Sequence, residues 1–200
     1  MSRIRHGDKR PTNPRLALFA CFALGASMAS AQAPSNRFDS AGHPKSNGVQ
    51  VVVQYPANWS AKEGERPHIV QKFVGKHAGV PAILMLEIRQ PGGEIQQNCE
   101  TLTAGDWKEV FEEPGTLVLS TKLSRHESLP GFVIKMKHSG ERAGAELHSE
   151  YQVLGVCFKR SLVLASCGVV GEKGEALQMR SVRPLCTQYF NSLVVMDQYR

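Results

Sequence analysis

The cysteines are the residues of this chain with the clearest chemical potential. Four of the five lie far from the N-terminus: Cys99, Cys157, Cys167 and Cys186. No two of these four have the C-x-x-C spacing of a thioredoxin-type redox motif or a zinc knuckle. An even number of cysteines in an exported chain instead predicts two disulfides, for which three connectivities are possible.

The histidines, serines and acidic residues form no pattern that predicts catalysis or metal binding. His68 and His77 are nine residues apart and the next pair is ten apart, whereas metal ligands commonly have shorter spacings. The G-x-S-x-G motif of a nucleophilic serine does not occur. A Ser-His-Asp triad is poorly supplied with aspartate, although glutamate could replace it. We therefore expect no catalytic, metal-binding or cofactor-binding residues.

Two histidines allow a functional interpretation. His138 shares the apolar face of a predicted strand, which predicts a core histidine satisfied by a hydrogen bond, with a buried functional histidine as the alternative. His148 lies on the polar face of the next strand, where solvent exposure explains it. The glycines of 91–93 and 171–174 predict turns and not phosphate-binding loops.

Residues 1–33 have the three parts of a secretory signal peptide. Five basic residues precede an apolar run over Leu16–Ala29, and Ala31-Gln32-Ala33 fits an A-x-A cleavage site. The run is too short to span a bilayer comfortably. Cys21 lies in a weak lipoprotein-like sequence, so lipidation is the alternative. We predict cleavage near Ala33, a periplasmic or secreted protein, and no transmembrane segment in the mature chain.

Removal of this segment changes the charge. The full chain has 24 basic and 18 acidic residues, and residues 1–33 hold five basic residues and one aspartate. The mature chain therefore keeps 19 basic and 17 acidic residues, a net charge of +2. This near balance gives no support for nucleic-acid binding.

The rest of the chain predicts strands around two helices. Residues 34–47 are rich in Ser, Asn, Gly and Pro and predict a flexible leader before a single domain over 48–200. Helices are predicted over 96–113, with a possible shorter start at Thr103–Asp106, and over 175–195, with either a kink or a division into two shorter helices at Pro184. The alternation of apolar residues predicts strands over 49–55, 68–74, 81–90, 117–123, 132–138, 147–153 and 158–170.

This order predicts an α+β fold, an antiparallel sheet of about six or seven strands flanked by helices. Turns are predicted at 75–79 and near Gly155, and Lys62–Arg66 is predicted to be a charged loop. The residues Leu117, Leu119, Thr121 and Leu123 are predicted to share one face.

The predicted elements limit how the cysteines can pair. Cys157 and Cys167 lie in one strand or one hairpin, either too far apart or several residues out of register. A last helix that runs antiparallel to the preceding strand brings Cys186 close to Cys167. We predict the pairs Cys167–Cys186 and Cys99–Cys157, with unpaired buried cysteines as the alternative.

Two stretches resemble the PsbP-like, or DcrB-like, family of small α/β sandwiches. The opening VQVVVQYPANW over 49–59 is similar to that family's strand followed by a Pro and Trp turn. The stretch Gln188–Val195 is similar to its closing helix, and the order of elements between them also matches.

The resemblance implies an antiparallel sheet flanked by helices and a role as an accessory, assembly or adaptor protein. Photosynthetic members are extrinsic subunits of photosystem II, some bacterial relatives are cytosolic chaperones for secreted toxins, and a eukaryotic fold relative binds a nuclear-transport GTPase. The signal peptide departs from both cytosolic cases. The four cysteines match no family pattern, and no functional residue is transferred.

We expect an exported, non-enzymatic protein that binds another protein of the bacterial envelope. Tyr55 and Trp59, beside an exposed turn, are the candidate partner-binding residues, with packing over the sheet end as the alternative. A competing hypothesis is an immunity or inhibitor protein that occludes a toxin or hydrolase through Lys62–Arg66. An envelope hydrolase is the third hypothesis.

Overall fold

The structure, a computed structural model, describes residues 34–90, 99, 101–142, 144–172 and 177–200, without the side chain of residue 142. The predicted signal peptide over residues 1–33, including Cys21, lies outside the described residues. Parts of the two predicted helices, at 96–98 and 175–176, also lie outside them. The described residues belong to one structural unit.

The main sheet contains seven of the described strands and is antiparallel throughout. Its strands are β3 (Ser60–Glu63), β4 (Ile69–His77), β5 (Val80–Arg89), β6 (Thr116–His126), β7 (Leu129–Arg142), β8 (Ala145–Phe158) and β9 (Ser161–Glu172). They are arranged in the order β3-β4-β5-β9-β8-β7-β6. The predicted fold class is therefore confirmed, and the central position of the apolar strand β5 explains why both of its sides are largely buried.

A second sheet has three strands: β1 (Ser35–Asp39), β2 (Val51–Pro56) and β10 (Val194–Val195), with β2 in the middle. β1 falls within the predicted flexible leader, so that interpretation of residues 34–47 is corrected. Every residue of β1 is in register with a residue of β2. The ring of Phe38 also lies 5.8 Å from that of Phe73, so one apolar side chain anchors the segment to the core.

Two glycines that the sequence places in turns lie inside strands, beneath aromatic rings. A Cβ atom on Gly155 would lie 2.1 Å from Cζ of Phe132, and one on Gly75 would lie 2.6 Å from the ring of Trp59. Each glycine is needed for close approach and not for a turn. The turn predicted near Gly155 is therefore wrong, and the β8–β9 hairpin turns at Lys159 and Arg160. The turn predicted over 75–79 is present, at Ala78 and Gly79 between β4 and β5.

The predicted common face of β6 is also wrong. The register with β7 shifts between Val118 and Ser120, which leaves Leu119 as an extra residue in a β-bulge. Leu117 is opposite Lys137 and Leu123 is opposite Phe132. Because Lys137 and Phe132 point to opposite faces of β7, the two leucines also lie on opposite faces.

The described helices are α1 (Ala104–Phe111) and α2 (Met179–Asn191). α1 begins with a capping box, in which Thr103 and Asp106 each accept a hydrogen bond from the backbone N–H of the other. This is the shorter start that the sequence offers. α2 continues through Pro184 as one helix, and residues 194–195 are a strand and not its end.

The main sheet has an apolar core on each face. The larger core lies under α2 and the three-stranded sheet, and it includes Phe73, Leu84 and Tyr189. The smaller core lies under α1, where the ring centroids of Trp107 and Phe132 are 4.0 Å apart. The two cores explain the layered architecture, because each helix buries one apolar stripe against the sheet.

Candidate functional site

Both predicted disulfides are present, one on each face of the main sheet. The Cα atoms of Cys167 and Cys186 are 5.3 Å apart, and those of Cys99 and Cys157 are 6.0 Å apart. In the β8–β9 hairpin Cys167 is opposite Gln152, so Cys157 is five positions out of register with it. This offset is why the two neighbouring cysteines bond elsewhere.

The two candidate partner-binding residues pack into the molecule. Trp59 is only 6% exposed and covers Gly75 in the larger core. Tyr55 is half-buried, and its ring stacks on that of Phe73 at 4.1 Å. The partner-anchor interpretation of Trp59 is therefore corrected to the packing alternative, because its indole is not available at the surface.

His138 is not a core residue. It is exposed near the end of β7, and its Nδ1 lies 2.9 Å from Oγ1 of Thr116 on β6. The smaller core under α1 buries Phe132 and Ile134, which lie earlier in β7, but it does not include position 138. The predicted core histidine is therefore wrong, although its hydrogen bond is present.

His148, Ser139 and Glu146 meet in the β7–β8 hairpin, an arrangement that the sequence analysis missed. Oγ of Ser139 lies 3.0 Å from Nδ1 of His148, and Nε2 of that histidine lies 3.4 Å from a carboxylate oxygen of Glu146. An open pocket of about 480 Å³ lies beside them, lined partly by Ser139 and Glu146. The sequence signal was the alternation of Glu146 and His148, which places both side chains on one face of β8. The register of the hairpin then places Ser139 opposite His148 on that same face.

This cluster has the residue types of a hydrolytic triad but not its geometry. The contact of 3.4 Å between His148 and Glu146 is too long for the hydrogen bond that orients a catalytic base. The backbone N–H of Ser139 donates to the carbonyl of Gly115 at 2.8 Å, so it cannot stabilise an oxyanion. Gly140 lies in the strand ladder opposite Leu147. The arrangement is that of a polar hairpin surface.

Glu87 is a buried carboxylate on β5 that has cationic partners. Its Oε2 lies 2.7 Å from Nη2 of Arg89 and 3.5 Å from Nε2 of His68. Burial lowers the pKa of His68, and the positive charge of Arg89 lowers it further. The negative charge of Glu87 acts in the opposite direction but is the smaller effect. The carboxylate is thus held by Arg89, which explains how a charge is tolerated there.

The β6 edge, defined as strand Thr116–His126 at the end of the main sheet, carries three of the six large apolar side chains that are exposed among the described residues. Leu117, Leu119 and Leu123 are 57%, 47% and 49% exposed. β6 pairs with β7 on one side, and no described strand lies on its other side. Exposed apolar side chains along an unpaired strand mark a surface suited to association.

The opposite end of the sheet is different. β3 is a short strand of four residues, all of them exposed, and it contains Lys62 and Glu63 but no large apolar residue. The predicted loop over Lys62–Arg66 is therefore corrected, since its first part is this edge strand, with Lys62 opposite Lys72 on β4. A short, charged edge is one that proteins use to discourage strand addition.

These features define the chain as a small α/β sandwich built on an antiparallel sheet. No protein-family model and no curated protein matches the sequence. Membership of the PsbP-like or DcrB-like family therefore stays a prediction. Within the described residues, the helices are too short and too polar to cross a membrane.

Several solved structures are similar to the chain. LpqN of Mycobacterium tuberculosis, involved in cell envelope biogenesis, has 11% identity and a TM-score of 0.46, covering 80% of this chain and 90% of LpqN. The Ran-binding protein Mog1p of Saccharomyces cerevisiae has 10% identity and a TM-score of 0.49, covering 84% and 98%. A Pseudomonas aeruginosa protein of unknown function has 11% identity and a TM-score of 0.44, covering 72% and 90%.

Proposed function

We propose that the chain is an exported, non-enzymatic binding protein of the bacterial envelope that acts through contact with another protein. The observation that carries this proposal is the β6 edge. Its three leucines each expose about half of their surface at the end of the main sheet. Burial of these leucines against a partner would contribute favourable free energy of association in proportion to the apolar area removed from water.

Two observations support export. The first 33 residues have the pattern of a signal peptide. The four described cysteines are paired in two disulfides, which form and persist in oxidising compartments such as the periplasm. An exported protein would meet its partner in the envelope or outside the cell.

The polar clusters support binding over catalysis. Ser139 has a histidine neighbour, but its own amide is used in a backbone hydrogen bond. The buried carboxylate of Glu87 is neutralised by an ion pair with Arg89, whose side chain reaches the surface. In the part of the chain that the structure describes, no group of three or more His, Cys, Asp or Glu residues could hold a metal ion.

The alternative function is an immunity or inhibitor protein that neutralises a toxin or hydrolase. It is favoured by the exposure of all four residues of β3, from which Lys62 could reach into an enzyme cleft. In that case the contact would run through Lys62–Arg66 and would not involve β6.

Site-specific photocross-linking in a bacterial host that exports the protein tests the proposal. A photoreactive amino acid replaces Leu123 on the β6 edge, Val170 on the central strand β9 as a control of 37% exposure, or Lys62 on β3. We expect one envelope protein cross-linked from position 123, with none from 170, and loss of the adduct in a Leu117→Ser background. No adduct from 123, or a secreted hydrolase captured only from 62, would overturn the proposal.

A further inference from the structure

We propose that the β6 edge binds an extended, acidic and apolar segment of the partner as an eighth strand of the main sheet. The inference rests on the proposed function. It adds the chemistry of the segment that the partner presents and the backbone pairing that holds it.

Among the described residues, no strand pairs with the backbone on the outer side of β6. β6 is the last strand of the sheet and is in register with β7 alone. The bulge at Leu119 divides it, and the stretch Ser120–His126 keeps a continuous register with β7. A strand added here can form main-chain hydrogen bonds along that stretch, as in other cases of strand addition.

The side chains of β6 offer apolar contact on both faces of an added strand. Leu117 and Leu123 lie on opposite faces, and both are about half exposed. An added strand places alternate side chains on alternate faces, so its apolar residues can pack against either leucine.

The charge of β6 selects the partner's polar residues. The strand contains Lys122 and Arg125 and no acidic residue. Lys122 shares a face with Lys135 and Lys137 of β7. Among the described residues, the one ion pair seen for these three lysines is the contact of 3.9 Å between Lys137 and Glu150. Opposite charges across neighbouring strands are favourable. In the stretch Ser120–His126, Lys122 lies on one face and Leu123 on the other. The complement is therefore a segment with Asp or Glu on the Lys122 face and apolar residues on the Leu123 face, which means that acidic and apolar residues alternate.

The same charges disfavour a second copy of the chain as the occupant. Antiparallel self-pairing of Ser120–His126 about Leu123 would place the two Lys122 side chains diagonally opposite each other on one face. No acidic residue lies within the strand to offset them. The bulge at Leu119 further limits the length over which two copies could pair.

Synthetic peptides test the inference on the purified full chain. The first, of about nine residues, alternates Glu with Val. The second has Lys in place of Glu, and the third is the Glu peptide with alternate backbone amides N-methylated. Binding is measured by fluorescence anisotropy at low ionic strength, and sedimentation measures the oligomeric state of the protein.

We expect the Glu peptide to bind at least about tenfold more tightly than either of the others, since several cross-strand charge pairs and hydrogen bonds differ between them. Lys122→Glu combined with Arg125→Glu should reverse the preference between Glu and Lys peptides. Leu123→Ser should weaken binding, whereas Val170→Ser should leave it unchanged.

Equal affinity for the Glu and Lys peptides, or for the N-methylated peptide, would overturn the inference, and so would a dimer that is lost in Leu123→Ser. These failures differ from failure of the proposed function. An adduct cross-linked from position 123 would keep the binding role, even when the strand-addition mode and acidic partner are rejected.

Discussion

Cys186 on α2 is bonded to Cys167 on β9, with their Cα atoms 5.3 Å apart, and both are fully buried in the larger core. The bridge ties the helix to the main sheet at the centre of that core. Cys99 and Cys157 form the second bridge on the opposite face, beside the residues that α1 covers. The main sheet is thus covalently joined to a segment on each side.

Loss of the first bridge should destabilise the fold. We expect Cys186→Ser to lower the free energy of unfolding by about 3 kcal/mol, because the unfolded chain regains the freedom of a closed loop of 19 residues. Chemical denaturation measures the effect. The matched control is Cys167→Ala/Cys186→Ala, which leaves no free thiol and should lose a similar amount. Wild-type stability in both variants would contradict the structural role of the bridge.

Gly155→Ala should destabilise the protein by about 1–3 kcal/mol through overpacking against Phe132. The added methyl would lie 2.1 Å from the Phe132 ring, whereas Gly105→Ala on α1 would meet only Thr103 Oγ1 at 3.5 Å and serves as the control. Thermal unfolding compares the two. In a double-mutant cycle, Phe132→Leu should relieve part of the Gly155→Ala cost, and strict additivity would refute the steric explanation.

His68 should make the stability fall as the pH decreases. Burial, followed by the Arg89 charge, lowers the pKa of His68 in the folded state below its usual value of about 6.5. As the pH falls, the unfolded chain therefore binds a proton at this residue before the folded protein does. The contribution of His68 to the free energy of unfolding is present above about pH 6.5 and is lost as the pH falls from there through the lower pKa of the folded state. NMR titration of the His68 ring should give a midpoint below 6.5, and His68→Gln should flatten the decrease in stability below that pH. A midpoint above the usual value would contradict this assignment.

Ser139 should not act as a nucleophile. Its amide is used by Gly115 and its histidine lacks a close carboxylate hydrogen bond, so we expect no labelling by a fluorophosphonate probe. Mass spectrometry of the intact protein checks this, with a known serine hydrolase in the same reaction as the positive control. Labelling that disappears in Ser139→Ala would contradict the non-enzymatic proposal.

Several parts of the fold could be predicted because their signals are local. Alternating apolar residues identify β7, and Thr103 with Asp106 identifies the start of α1, since both patterns depend on a few neighbouring positions. The disulfide pairing also followed from the geometry of neighbouring elements. The offset between Cys157 and Cys167 excludes a bond between them, and a helix that runs back along β9 brings Cys186 to Cys167. The sequence did not predict the burial of Trp59, because that burial depends on Gly75, which is distant in the chain and lies under the indole ring.

The amino-acid order alone determined that this chain is built of antiparallel strands, that four of its five cysteines can form two bridges, and that its N-terminal segment has the pattern of a signal peptide. Only the tertiary structure decided that residues 35–39 form a strand, that Gly155 lies under a ring, and that Leu117 and Leu123 line an open edge. The physical reason is that each of these outcomes depends on a partner far along the chain. A strand needs a neighbouring strand, and a side chain is buried only where another element covers it.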